Sequence, residues 1–226
     1  MQVQDHPDLT DPEMVYPPLK GALLLAGGAS ARFGRNKAVA EFKGKPLLTH
    51  VAHVAAQVAG EVVVAIGTES SIYAYKKLLP ASAHVVKDRF RVKTPLVGIL
   101  TGFQEMQSEY SVVLSCDTPF VRGDVLRLLF RKAARSDAAI PKWPNGDIEP
   151  LQAVYKVRSA IPAAKLALSR HEFRNVDMIK RLGRVTYVPV REINRIDRGL
   201  ITFFNVNRPS DLRRAEALWA SREIGR

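Results

Sequence analysis

Short unbroken apolar runs alternate along the chain with longer stretches whose apolar residues recur every three or four positions. The runs at 22–26, 62–66, 84–86, 111–115, 138–141, 151–155, 185–190 and 202–204 have the length of strands. The first, second and fourth are continuous rather than alternating, as strands covered on both faces are. Helical spacing appears in Leu47, Leu48, Val51, Val54, Ala55 and Val58, closed by Gly60. Further helices are predicted over about 70–79, stopped by Pro80, and from Pro95 to Met106. Others follow over 121–135, 159–168 (with Pro162 in the first turn), 176–182, and from Pro209 through Trp219. Strand followed by helix, repeated, predicts an α/β fold: a single Rossmann-like three-layer domain with a mostly parallel central sheet. That domain spans 20–226. Residues 1–19 hold four prolines, four acidic residues and no periodicity, and read as an irregular tail. Residues 142–150 read as a loop or hairpin turn, and 191–199 as a charged loop.

Composition narrows the partners more than the fold. With 226 residues and 46% apolar content the chain can bury one substantial core, and no repeat or linker divides it. The 34 Lys and Arg against 22 Asp and Glu give +12, which favours anionic partners. These charges are dispersed, unlike a nucleic-acid-binding arm. The lone cysteine, Cys116, excludes an intrachain disulfide framework and suits a reducing compartment. No signal-peptide pattern opens the chain and no apolar run nears the ~20 residues of a membrane helix. A cytoplasmic protein with no membrane and no nucleic-acid partner is expected.

The first strand runs straight into glycine: LLLAGGASARFGRNK, residues 23–37. A buried strand opening into a glycine loop gathers backbone N–H groups around a phosphate, and Arg32 and Lys37 add fixed positive charge. Five residues separate Gly28 from Gly34, and Lys37 lies three beyond, so the loop is not a Walker A motif. GxGxxG is absent too. The loop predicts a nucleoside triphosphate site. Asp117 falls at the carboxyl end of a buried strand, where ligands of open α/β sheets bind. A carboxylate there suits Mg²⁺, which takes one or two carboxylates plus phosphate oxygens; a turn or N-cap role ahead of Pro119 is the alternative. Cys116 has no activating neighbour and reads as a packed residue.

These residues resemble the signature of small nucleotidyltransferases, and most closely the molybdenum cofactor guanylyltransferases. The pattern Leu-Ala-Gly-Gly-x-Ser-x-Arg-Met-Gly-x-x-Lys is matched at Leu25, Ala26, Gly27, Gly28, Ser30, Arg32, Gly34 and Lys37, with Phe33 at the methionine. Gly44-Lys45-Pro46-Leu47, Asp88, Pro95-Leu96-Val97-Gly98, Cys116-Asp117-Thr118-Pro119, Glu149-Pro150-Leu151 and Asn205-Val206-Asn207 follow in order, so the likeness covers about 21–219. It implies that molybdopterin attacks the α-phosphate of GTP and displaces pyrophosphate, with Mg²⁺ required and transient contacts to other molybdenum-cofactor proteins. It implies Arg32, Lys37 and Asp117 as catalytic residues, with Asp117 the metal ligand. Leu25, Ala26, Gly27, Gly28, Lys37, Asp88 and Asp117 would bind nucleotide, and Asn205 and Asn207 the acceptor. Asn205 and Asn207 equally suit turn and N-cap chemistry before Pro209, and Asp88 a turn aspartate paired with Arg89 or Arg91. The family's asparagine after the second strand is replaced by Ala65-Ile66-Gly67-Thr68, so that contact is missing or made by backbone. Paired Gly27-Gly28 departs from the Ala-Ala-Gly of the cytidylyltransferases. Cobinamide phosphate or a sugar phosphate remains an alternative acceptor, and a non-catalytic basic nucleotide-binding protein is the alternative of a different class.

Overall fold

A computed structural model describes residues 20–27, 36–68, 70–88 and 92–224. The tail expected at 1–19, and the loop residues Gly28 and Arg32, lie outside the described residues. The periodicities become strands β1 (Lys20–Leu25), β4 (Glu61–Ile66), β5 (Ala83–Lys87), β6 (Tyr110–Ser115), β7 (Ala138–Lys142), β8 (Gln152–Lys156) and β9 (Val185–Pro189). They form one sheet in the order β5-β4-β1-β6-β8-β7-β9. All pairings are parallel except those of β8, which runs antiparallel to β6 and β7. A two-stranded hairpin, β2 (Glu41–Phe42) with β3 (Lys45–Pro46), stands apart. Its turn residues Lys43 and Gly44 both have positive φ (50° and 74°), the geometry that a two-residue hairpin of this hand requires.

Helices α1 (Leu47–Ala56) and α4 (Gly123–Ala133) cover one face of the sheet; α3 (Pro95–Gln104), α5 (Val157–Ser169) and α6 (Asn175–Ile179) cover the other. Helix α3 is buried at every position from Leu96 to Phe103. It can lie that close because Gly102 faces Leu23, where a Cβ would overlap the leucine side chain. Helix α8 (Pro209–Ile224) closes a smaller cluster in which Phe42, Phe120 and Trp219 meet edge to face or stacked.

Four expectations are corrected. The strand expected at 202–204 is a 3-10 turn, Ile201–Phe203. Its amides are satisfied locally, with Thr202 N–H donating to the fully buried Asp197 carboxylate at 2.7 Å and Phe203 N–H to the Leu200 carbonyl, leaving no ladder to join. The charged loop at 191–199 opens with a short helix, α7 (Val190–Asn194), whose Val190 and Ile193 are buried. The helix expected over 70–79 is confined to α2 (Ile72–Lys76), started by Ser71, whose hydroxyl accepts from Ala74 N–H. Helix α5 begins at Val157, where the Val157 amide donates to the Glu109 carbonyl, so Pro162 is interior rather than in the first turn. It deprives one carbonyl a turn earlier of its donor.

Candidate active site

Strand order reverses between β1 and β6: the chain leaves β1 toward β4 and β5, and returns to build β6 on the other side. Such a switch point leaves a crevice at the carboxyl ends of the strands. The backbone pairing runs one residue past each strand there. Ala26 N–H donates to Ala65 O at 2.8 Å, Cys116 N–H to Leu25 O at 3.2 Å, and Asp88 N–H to Ile66 O at 2.9 Å. Gly27, Asp88 and Asp117 are thereby brought to one rim, around a cavity of about 170 Å³ lined also by Leu25, Lys37 and Gly98. Gly27 packs directly on the next strand end: a Cβ on it would stand 2.8 Å from Gly67 N. The Ala65-Ile66-Gly67 stretch therefore meets the glycine loop with backbone.

Lys37 is delivered by a 3-10 turn, Lys37–Val39. Asn36 caps this turn, its Oδ1 accepting from Ala38 N–H at 3.1 Å. The Asn36 amide donates to the Tyr75 hydroxyl at 2.7 Å, and that hydroxyl donates to the Ala26 carbonyl at 3.1 Å. One buried phenol thus ties the end of β1 to the start of the Lys37 turn. The Lys37 ammonium donates to Asp117 Oδ2 at 2.8 Å and to Asn207 Oδ1 at 2.9 Å. Asn207 is brought there because Val206 N–H donates to the Asp117 carbonyl at 2.9 Å. The Asn207 and Arg208 amides donate to the Asp211 carboxylate, which starts α8. The Asn207 backbone thus serves the helix start, while its side-chain oxygen accepts from Lys37. The Asn205 amide is spent on the Phe203 carbonyl at 3.1 Å.

Asp117 is buried, and among the described residues its Oδ1 has no hydrogen-bond partner. An orphaned carboxylate oxygen facing a crevice is costly and is what a hard divalent cation would satisfy. Among the described residues no group of three or more His, Cys, Asp and Glu gathers to hold a metal, so an ion here would rest on Asp117 and on ligand oxygens. Asp88 is a second carboxylate with a buried oxygen that has no partner among the described residues. Burial pushes its carboxyl above the usual range, offset in part by the nearby Thr101 hydroxyl. Burial, with the Asp117 charge, pushes the Cys116 thiol up to about 12, which removes it as a nucleophile. Glu149 also lies high through burial, although the Trp143 indole donates to it at 2.7 Å.

Leu25, Ala26, Gly27, Lys37, Asp88, Asp117 and Asn207 therefore come together, while Asn205 turns to its own loop. Asn36 and Tyr75 were not legible as site residues, because an asparagine before a lysine and a tyrosine on a short helix carry no distinctive pattern.

The chain matches the family model of the MobA-like NTP transferase domain over residues 22–185. A relative from Methanosarcina mazei named "Probable molybdenum cofactor guanylyltransferase" is 34% identical over 201 residues, covering 85% of this chain and 88% of its own length. A protein of the same name from Bacillus subtilis is 33% identical, covering 84% and 90%. The crystal structure of molybdopterin-guanine dinucleotide biosynthesis protein A from Archaeoglobus fulgidus superposes with a TM-score of 0.75 at 29% identity, over 90% of this chain and 100% of that one. A 4-diphosphocytidyl-2C-methyl-D-erythritol synthase from Anaerococcus prevotii shares the fold, with a TM-score of 0.68 at 13% identity.

Proposed function

The chain belongs to the MobA-like NTP transferase family, and from that premise we propose that it transfers GMP from GTP to the terminal phosphate of molybdopterin, releasing pyrophosphate, to form the guanine dinucleotide cofactor. The observation that carries the reading is the Lys37–Asp117–Asn207 constellation at the β1/β6 switch point, in a chain alike along most of its length to proteins named for this reaction.

The chemistry is an in-line displacement. An oxygen of the acceptor phosphate bonds to the α-phosphorus as the bond to the β-phosphate bridging oxygen breaks, and pyrophosphate leaves with that electron pair. Alignment and charge neutralisation dominate such reactions. Backbone N–H groups at Gly27 and Gly28 cradle the triphosphate, and Leu25 and Ala26 line the cavity beside them. Lys37, held in advance by Asp117 and Asn207, stands where charge grows on the α-phosphate, and Arg32 neutralises the departing β- and γ-phosphates. Asp88, which lines the same cavity as Lys37, serves as an acceptor for nucleotide N–H or hydroxyl donors. Asp117, through its unpartnered Oδ1, would hold Mg²⁺, which when bound supplies further charge to the phosphates. The reaction belongs in the cytoplasm, where GTP is available, and transient contacts with other molybdenum-cofactor proteins would deliver acceptor and remove product.

Purified protein with molybdopterin and Mg²⁺ should release pyrophosphate with GTP and far more slowly with CTP, ATP or UTP. Turnover with CTP in place of GTP, or with cobinamide phosphate or a sugar phosphate in place of molybdopterin, would replace this reading with another nucleotidyl transfer. Nucleotide binding without any turnover would favour a non-catalytic binding protein.

A further inference from the structure

The carboxyl edge of the sheet carries a second cleft beside the nucleotide crevice. Because β7 and β9 run parallel to β1, their carboxyl ends lie on the same edge as Gly27 and Asp117. Because β8 runs the other way, its start lies there too. The segment Glu149-Pro150-Leu151, just before β8, divides the two spaces: Leu151 lines the nucleotide cavity, and Glu149 and Pro150 line the second cleft, of about 660 Å³.

The connection that forms this divider is firmly built. Trp143 N–H donates to Asp147 O, Gly146 N–H to Trp143 O, and Glu149 N–H to Pro141 O, all within 3.0 Å. The Trp143 indole packs edge-on against Phe203 at 5.8 Å and donates to Glu149 Oε1 at 2.7 Å. Glu149 is a half-buried carboxylate that makes no ion pair among the described residues, although Lys142 and Lys180 line the same cleft. Lys142 instead lies over the ring of Tyr187, which is 44% exposed and also faces this space. Asp147 also lines the cleft, its carboxylate accepting from the Asn145 amide at 2.8 Å; the Glu149 carboxylate, the aromatic surface and the two lysines suit a flat heterocycle with paired N–H donors and an anionic tail. Two adjacent N–H groups meet a carboxylate in parallel hydrogen bonds, among the strongest and most directional available.

We propose that this second cleft is the acceptor subsite, in which Glu149, oriented by Trp143, accepts the paired N–H groups of the pterin's aminopyrimidinone edge while Lys142 and Lys180 attract the anionic tail. The assignment rests on the reaction proposed above. Guanine has the same paired edge, so the test must separate the two clefts.

The probe is 6-hydroxymethylpterin phosphate, followed by its own fluorescence with GTP at saturation. Wild-type protein should bind it, GTP should not displace it, and Glu149→Gln should weaken binding tenfold or more. In turnover, Glu149→Gln should raise the KM for molybdopterin by a similar factor with the KM for GTP unchanged. Displacement of the pterin by GTP, or equal binding by Glu149→Gln, overturns the assignment while leaving GMP transfer standing. Glu149-dependent pterin binding by a wild-type protein that transfers no GMP supports the subsite and overturns the reaction. Should Glu149→Gln misfold, the exposed Lys180→Ala decides: a severalfold loss of pterin binding supports the assignment, and none overturns it.

Discussion

The Lys37 ammonium donates to Asp117 and to Asn207. Preorganised donors of this kind are worth roughly 100- to 1,000-fold in rate when removed. Lys37→Ala should therefore slow transfer by about that factor, and Asp117→Ala by at least as much, measured as initial pyrophosphate release. Asp88 offers a prediction with a sign. Its folded carboxyl holds a proton to higher pH than an unfolded aspartate, which titrates near about 4. Between those two values the folded state binds more protons, so stability present below pH ~4 is lost as pH rises through the folded value. Asp88→Asn removes that slope and the unpartnered charge. Its urea midpoint at pH 7 should exceed that of wild type, while protection by GTP is lost; an unchanged midpoint would show that burial of this carboxylate costs nothing. Sequence alone could single out Lys37 and Asp117, because a lysine after a glycine loop and an aspartate after a buried strand are distinctive. It could not apportion Asn205 and Asn207, whose side chains go to whichever ammonium or carbonyl lies within reach.

Helix α3 shows how an element positions the site without touching chemistry. Its buried face is continuous because Gly102 admits the Leu23 side chain. Gly102→Ala gains up to about 1 kcal/mol of helix propensity but overfills a close-packed core, which typically costs ~1–3 kcal/mol. Net destabilisation is expected in a denaturation midpoint. Gly98→Ala is a different case: its Cβ would stand 3.1 Å from Leu25 Cδ2 and 3.9 Å from Asp88 Oδ1, so weaker GTP binding should accompany it. Elements with long periodic patterns, such as α1, β4 and β6, were legible because burial imposes the spacing. The 3-10 turn at Ile201–Phe203 was not. Its apolar residues mimic a strand, and the deciding partner, the buried Asp197 carboxylate, looked like one more charge in a charged loop.

The whole molecule places two clefts on one edge of a seven-stranded sheet, and its surplus of positive charge suits two polyanionic substrates. Attraction of that range is screened over about 8–10 Å at physiological salt, so kcat/KM should fall as ionic strength rises, more steeply than kcat. Nucleotide preference is visible in stability: GTP at 100 times its dissociation constant adds about 2.7 kcal/mol, while CTP at the same concentration should add markedly less. The alternation of strands and helices made the α/β class legible, but not the strand order, nor the reversal of β8 that brings Glu149 to the active edge. Those follow from how the faces of the sheet are covered, which no local pattern encodes. Among the described residues no helix is long and apolar enough to cross a membrane.

The proposed transfer breaks the bond between the α-phosphorus and its β-bridging oxygen and carries the nucleotide to the pterin. Parallel reactions with GTP labelled at the α- or the γ-phosphorus, molybdopterin and Mg²⁺ test it directly. The α-label should enter a pterin dinucleotide, one label per pyrophosphate released, while γ-label should appear only in pyrophosphate. Release of γ-label as inorganic phosphate, or α-label that never joins the pterin, would overturn GMP transfer.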